Sequence, residues 1–300
     1  MEQNVANTLP QESTTDSLRQ WWDGPLPERL RERTVVAESQ NTVLRDFMSQ
    51  FDVRGANVLE VGGSMASTVA GLPDHRRWVS VDPLAQDSSE DRHEVIGKPV
   101  EKAGLERGAF DLVFSCNAFE HMTDLTESML AIRDALAPGG YVYAHYGPIW
   151  SGPDGHHLEN VSWEGRDLIF WADNPIPHWT HLMLEPEQMG EMLEEYFAPG
   201  LVQKIVHSVY HDDWINRRFF EDYLEAFREA GLTLVSLEGQ HVVDYESKYP
   251  DGPYRHPAFT RLLSQDPELG LNRRFGPKYR NFRCRDMRVV LRRPKTSAAS

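Results

Sequence analysis

The sequence predicts an α/β fold in which a largely parallel sheet is covered by helices on both faces. Three observations carry that expectation. From Asn57 to Tyr146 short apolar runs alternate with helical patterns, and strands that read as unbroken apolar runs belong to sheets buried on both sides. The first run, Val58-Leu59-Glu60-Val61, breaks into Gly62-Gly63-Ser64-Met65-Ala66-Ser67, a strand end followed by a turn so poor in side chains that a ligand can lie against its backbone amides. Further on, Phe110 to Phe114 reads as a buried strand with the polar tip Ser115 to His121, and Ala131 to Ala137 reads as a helix stopped by Pro138-Gly139-Gly140 before the strand Tyr141 to Ala144. The run Trp78 to Val81 ends in Asp82-Pro83, and an acid at the tip of the second strand is what a ribose diol requires. The remaining strand of this stretch is the short His93 to Ile96.

The order and spacing of these four features resemble the class I S-adenosylmethionine-dependent methyltransferases, over roughly residues 55 to 145 with a continuation to residue 293. The resemblance implies a Rossmann-like seven-stranded sheet, parallel with one antiparallel edge strand, with an N-terminal helical leader and inserted substrate-binding segments. It implies S-adenosylmethionine as cofactor, with Glu60, Gly62, Gly63 and Ser64 in the turn, Asp82 and Pro83 on the ribose side, and Val100, Cys116 and Asn117 lining the pocket. Two departures accompany the matches. Ser64 and Ala66 stand at the second and third glycine positions of the turn, and Gly97-Lys98-Pro99-Val100 lacks the acid that the family often carries after its third strand.

Composition narrows the partners. A formal charge of −15 argues against a protein built to neutralise phosphates along a nucleic acid. Cys116 and Cys284 are too few for a disulfide framework and point to a reducing, cytoplasmic setting. No apolar run has the length of a membrane span and no signal-peptide layout is present, so a soluble protein is expected. A small-molecule substrate fits this balance, and a homodimer stays open.

Along the chain, residues 1–20 read as a loose leader and residues 21–54 as a helical cap. Trp21 and Trp22 either pack on the domain or form a lid. The main domain runs over 55–293, with extra segments at about 145–213 and 238–284, and 294–300 is a loose tail. Trp214 to Ala230 reads as a helix, Leu232 to Leu237 and Met287 to Leu291 as the last strands. Both extra segments follow strands at the ligand edge of an open α/β sheet, which makes them the source of a substrate pocket.

The stretch from His145 to Trp214 holds seven of the twelve histidines and five of the eight tryptophans, too many for a plain connector. Methyl transfer needs an in-line approach in a dry pocket and a base where the nucleophile carries a proton. The candidates are His121, which the resemblance places near the methyl group in an Asn-x-x-Glu-His pattern; Tyr146 with its neighbour His145; and His157, since adjacent His156 and His157 must point apart. The same histidines with Asp154, Glu159, His178 and His181 could ligate a metal, but Pro175 and Pro177 favour a loop there, and no metal is assigned. Trp150, Trp163, Trp171 and Trp179 either line a pocket for an apolar, aromatic or cationic substrate or pack the insertion. The basic stripe between Leu271 and Lys295 reads chiefly as a solvated strand face or a salt-bridged partner of the acidic regions, with an anionic small substrate ahead of RNA among the alternatives. Two rival functions remain: conversion of the cofactor itself, such as cyclisation with release of methylthioadenosine, and a non-catalytic cofactor-binding scaffold.

Overall fold

A computed structural model describes residues 14–22, 29–34, 39–63, 74–241, 252–253, 256–257, 267–276, 278 and 280–295. The expectations for residues 1–13, for Ser64 and Ala66, and for the tail after 295 lie outside these. The N-terminal part departs from its sequence reading in two ways: residues 14–20 of the expected loose leader belong to a helix, which buries Leu18, and the expected helical cap contains a strand. Helix α1 (Thr14–Trp21) is followed by a strand, β1 (Arg29–Thr34), and only then by α2 (Gln40–Gln50). The apolar spacing was real for α2 alone: Ser39 caps it by accepting from Thr42 N–H, and Val43, Leu44 and Phe47 are its buried stripe. Residues 29–34 form a strand because the edge of β10 offers them a ladder from Arg29 opposite Ser236 to Thr34 opposite His241.

The central run follows as β2 (Asn57–Val61), β3 (Arg77–Val81), β4 (Ser88–Glu90), β5 (His93–Ile96), β6 (Phe110–Cys116), α3 (Leu125–Ala135) and β7 (Leu136–Tyr146). Asp124 caps α3 through Glu127 N–H at 3.0 Å. The helix ends at Ala135, earlier than expected, and Pro138-Gly139-Gly140 lies inside β7, where Gly139 takes φ +87° and a Cβ on Gly140 would stand 2.7 Å from Asp111 O on the neighbouring strand. The extra segment then holds a hairpin, β8 (Val161–Trp163) and β9 (Arg166–Leu168), and three helices, α4 (Thr180–Met183), α5 (Pro186–Glu194) and α6 (Pro199–Tyr210). Next come α7 (Phe220–Glu229), β10 (Thr233–His241), α8 (Pro267–Phe275) and β11 (Asp286–Arg292). The expected helix from Trp214 begins only at Phe220, where Phe219 N–H meets Asp222 Oδ2 at 2.8 Å, and Arg217 before it has φ +51°.

Among the described residues the main sheet has nine strands, in the order β1-β10-β11-β7-β6-β2-β3-β5-β4. The expected seven sit inside it, and β1 and β4 add one at each side. Where one antiparallel edge strand was expected, two strands run against the rest: β4, at an edge against β5, and β11, interior and against both β10 and β7. One face is covered by α3 and α7, where Met129, Ile132, Tyr223 and Phe227 meet Leu59, Val113 and Val142. Trp21 and Trp22 join this core at 9% and 8% exposure, packed rather than lidding. On the other face α2 sets Phe47 against Phe114 and Tyr143. The insertion has its own core, with Leu158, Leu168, Met189, Leu193, Val202 and Ile205 fully or nearly buried.

Candidate active site

The parallel strands β2, β3, β6 and β7 end along one edge, where open α/β sheets hold their ligands. Gly62 leaves β2 at φ +77°, with no space for a Cβ because Ala118 of the β6 tip fills it. At Gly63 a Cβ would lie 2.7 Å from Glu60 Oε1. Gly62 is thus imposed by close approach and by its φ, whereas at Gly63 the neighbour is only the end of a side chain. Glu60 itself is 2% exposed and braces β3, with Oε2 accepting from Trp78 Nε1 at 3.0 Å and from the Ser80 hydroxyl. Its role in the structure is to hold two strands together under the turn, with the carboxylate directed into the sheet.

Asp82 is half-buried just past β3; its Oδ1 accepts Leu84 N–H at 2.8 Å, which fixes the turn and leaves Oδ2 without a partner among the described residues. Pro83 beside it is exposed. Val100 and Cys116 are buried, at 6% and 5% exposure, as floor rather than polar lining. Asn117 is exposed, adopts φ +51° and is tied to β7 through its N–H on His145 O at 2.8 Å. Where the third-strand acid is missing, Gly97 N–H is taken by Asp87 Oδ1 at 2.6 Å.

The three catalytic candidates have separate fates. His121, in a 3-10 turn after β6, donates from Nδ1 to Trp214 O at 2.6 Å and is one quarter exposed. His157 meets it edge to face, ring centroids 5.1 Å apart, so the insertion does reach the sheet edge. Burial, followed by the neighbouring His121, pushes His157 down to about 3, which keeps it neutral. His156 points away, towards His181 at 5.6 Å. Tyr146 departs from the expectation: it is fully buried, donates its hydroxyl to Met287 Sδ at 3.2 Å and packs on Phe119 and Tyr223, and burial drives its ionisation well above the usual tyrosine range. It belongs to the core.

Three residues without an assigned catalytic role join the pair. Glu120, 2% exposed, accepts Gly147 N–H on Oε1 at 3.1 Å, and Oε1 lies 3.9 Å from His121 Nε2. Burial raises Glu120 to about 7, against the opposing pull of His121. Glu159 Oε2 stands 4.0 Å from His157 Nε2 and accepts the Trp214 indole N–H at 3.0 Å. The signal for Glu120 lay in the Asn-x-x-Glu-His pattern, but no sequence property tells which of two adjacent polar residues will be buried.

The remaining histidines do not form a metal centre; no cluster of three or more suitable side chains occurs among the described residues. The basic stripe is largely spent on acids: Arg285 on Asp154 and Asp286, Arg288 on Asp46 and Glu238, Arg274 on Glu185. Both cysteines are buried and neither is in a disulfide, and among the described residues no helix is long and apolar enough to cross a membrane.

Residues 59–144 match the family model described as a methyltransferase domain. That segment, β2 to β7, is a methyltransferase domain. The sheet order around it is the Rossmann-like order of class I methyltransferases with an extra strand at either side. The chain is similar to an S-adenosylmethionine-dependent methyltransferase from Mesorhizobium loti at 15% identity and a TM-score of 0.45, over 83% of this chain and 96% of that one. It is similar to the 4+2 cyclase SpnF at 14% and 0.44, over 90% and 88%, and to phosphoethanolamine N-methyltransferase 2 of Haemonchus contortus at 16% and 0.41, over 85% and 53%. Nothing of those proteins' chemistry carries over at such distances. No curated protein matches the chain. Within the methyltransferase domain, Gly62, Asp82, Asn117 and His121 all come from the strand ends of one edge, and His157, Glu159 and Trp214 come from outside it.

Proposed function

We propose that the chain transfers the methyl group of S-adenosylmethionine to a small-molecule acceptor held by the insertion. The observation that carries this reading is the meeting of His121, from the methyltransferase domain, with His157, Glu159 and Trp214, from the chain that follows it. The cofactor supplies an electrophilic methyl group on a sulfonium. The residues fit it: the crowded glycine turn keeps backbone at the strand end, and Asp82 has an oxygen to accept from a ribose hydroxyl. His121 is oriented by its bond to Trp214 O, so that Nε2 carries the lone pair able to take a proton from the acceptor.

Calorimetric titration with S-adenosylmethionine and S-adenosylhomocysteine, with mass spectrometry of the bound cofactor after incubation, tests the reading. Binding of both with the cofactor intact is expected, weakened about ten- to a hundredfold in Asp82→Ala by loss of charged hydrogen bonds. Spontaneous release of methylthioadenosine would replace methyl transfer by conversion of the cofactor itself. Absence of binding would sink the reading.

A further inference from the structure

The hydrogen-bond inventory of the His121 group points to the chemical class of the acceptor. A backbone carbonyl only accepts, so a ring nitrogen bonded to one must carry the hydrogen. His121 Nδ1 lies 2.6 Å from Trp214 O and His157 Nδ1 lies 3.4 Å from Pro148 O. With the hydrogen on Nδ1, Nε2 is left as the second ring nitrogen, a lone pair in the neutral form of either ring. Beside each lone pair stands a second acceptor, Glu120 Oε1 at 3.9 Å and Glu159 Oε2 at 4.0 Å, separations too long for a direct hydrogen bond. The nearby donors are spent elsewhere. The Trp214 indole N–H serves Glu159, and Gly147 N–H serves Glu120.

The nearby cations are likewise engaged. Arg285 reaches Asp286 Oδ2 at 2.5 Å and Asp154 Oδ2 at 3.4 Å, and Arg217 donates to Val209 O and Asp212 O. Glu120 Oε2 is buried with no hydrogen-bond partner among the described residues. Around these rings the site offers two imidazole nitrogens and two carboxyl groups, with the Trp214 and Gly147 donors already used, an acceptor-rich arrangement that favours a ligand bringing its own hydrogens. A hydroxyl brings one. An ammonium brings two or three, with the charge that two carboxylates require, and Trp214, 4.8 Å from the His121 ring, supplies an aromatic wall.

We propose that the methyl acceptor is a primary or secondary amine, bound as its ammonium between the His121–Glu120 and His157–Glu159 pairs. This rests on the methyl-transfer reading above. One ammonium proton passes to His121 Nε2, with Glu120 beside it as the next acceptor. The freed nitrogen lone pair forms the N–CH3 bond as the S–CH3 bond breaks, and the electron pair of that bond stays on sulfur, giving S-adenosylhomocysteine.

The test uses the full chain saturated with S-adenosylhomocysteine, titrated near pH 7.5 with benzylamine against benzyl alcohol and with n-butylamine against n-butanol. Each amine is expected to bind about tenfold or more tighter than its alcohol, the margin of a charge-assisted hydrogen bond. Glu159→Gln, a partly exposed position, is expected to remove most of that margin, and Glu120→Gln part of it. Alcohols binding as well as their amines overturn the inference. So does a protein that binds S-adenosylhomocysteine but neither amine, or an amine preference that survives both substitutions. Failure to bind S-adenosylhomocysteine overturns the methyltransferase reading beneath it as well.

Discussion

Two groups of histidines meet at one end of the insertion, one of them shared with the sheet edge through His121, and they have opposite chemical standing. His121 and His157 face each other where the insertion meets the sheet edge, each ring held by one carbonyl and flanked by a carboxylate it does not touch. A few residues away His156, His178 and His181 are 7% exposed or less and sit among Asp154, Arg285 and Asp286. There most contacts are closed: His178 Nδ1 is 2.6 Å from Asp154 Oδ1, Arg285 bridges Asp154 and Asp286, and His181 Nε2 donates to Trp150 O at 2.8 Å, with its Nδ1 buried and without a hydrogen-bond partner among the described residues. Burial works to raise Asp154, but the His178 hydrogen bond and the charge of Arg285 outweigh it and hold its carboxyl well below the usual carboxylate range; Asp286, with burial dominant, is raised. The difference teaches that histidine density marks a region and not a site. What separates a site from a girder here is whether the polar atoms have already found their partners.

The largest expected effect lies in the closed group. Arg285→Met leaves Asp154 and Asp286 buried without their cation, and breaking a buried pair from one side costs about 3–5 kcal/mol. Urea unfolding at pH 7 checks this. A loss no larger than that of a surface substitution would mean that the group is solvated in solution and that the comparison fails.

The next effect is read in pH. Burial lowers His181 from 6.5 to about 4. A lowered histidine contributes stability that is present above 6.5 and lost as the pH falls towards its folded value, because the unfolded chain then binds the proton first. His181→Gln removes that loss. Relative to the parent the variant should therefore gain about 1–2 kcal/mol as pH falls from 6.5 to 5. Glu120 and Glu221, raised by burial to about 7 and about 8, lose stability in the other direction, as pH rises from 4.5. They act equally in parent and variant and drop out of the difference. A gap that stays constant with pH would place His181 in contact with water.

The same contrast decides what the amino-acid sequence could reveal. The strands β2, β3, β6 and β7 were legible because a buried parallel strand must be an unbroken apolar run, and the glycines at 62 and 140 because Ala118 and Asp111 leave no space for a Cβ. β1 was not legible. Arg-Leu-Arg-Glu-Arg-Thr has no strand pattern of its own and is extended only because β10 presents an open edge. In the site, His121 and His157 could be named from residue type and position. Glu120 and Glu159 could not be given their roles, since these depend on burial and on distances to ring nitrogens. Tyr146 shows the converse: it sits at the end of the right strand, but the pleat turns its side chain into the core.

A smaller effect belongs to the open group. His121→Gln gives up one hydrogen bond to Trp214 O at a position that is one quarter exposed, so its cost in unfolding free energy should be about 1 kcal/mol or less. A cost near that of Arg285→Met would show that His121 is a structural element like the closed histidines, and would remove the main reason for reading it as a base.

The smallest effect is expected at Trp171, which is 56% exposed next to the site and touches Phe170 edge to face at 4.6 Å. Phe170 in turn lies 4.5 Å from His157. A mostly exposed indole returns little on folding, so Trp171→Ala should shift stability by no more than ~0.5 kcal/mol in urea. Its effect on ligand binding is a separate matter, because an indole left in water is available to cover a ligand lying over His157. Unfolding and amine titration of the same variant therefore sort the aromatic residues as they sort the histidines: unchanged stability with weaker amine binding makes Trp171 part of the open group, and lost stability with unchanged binding makes it part of the insertion's core.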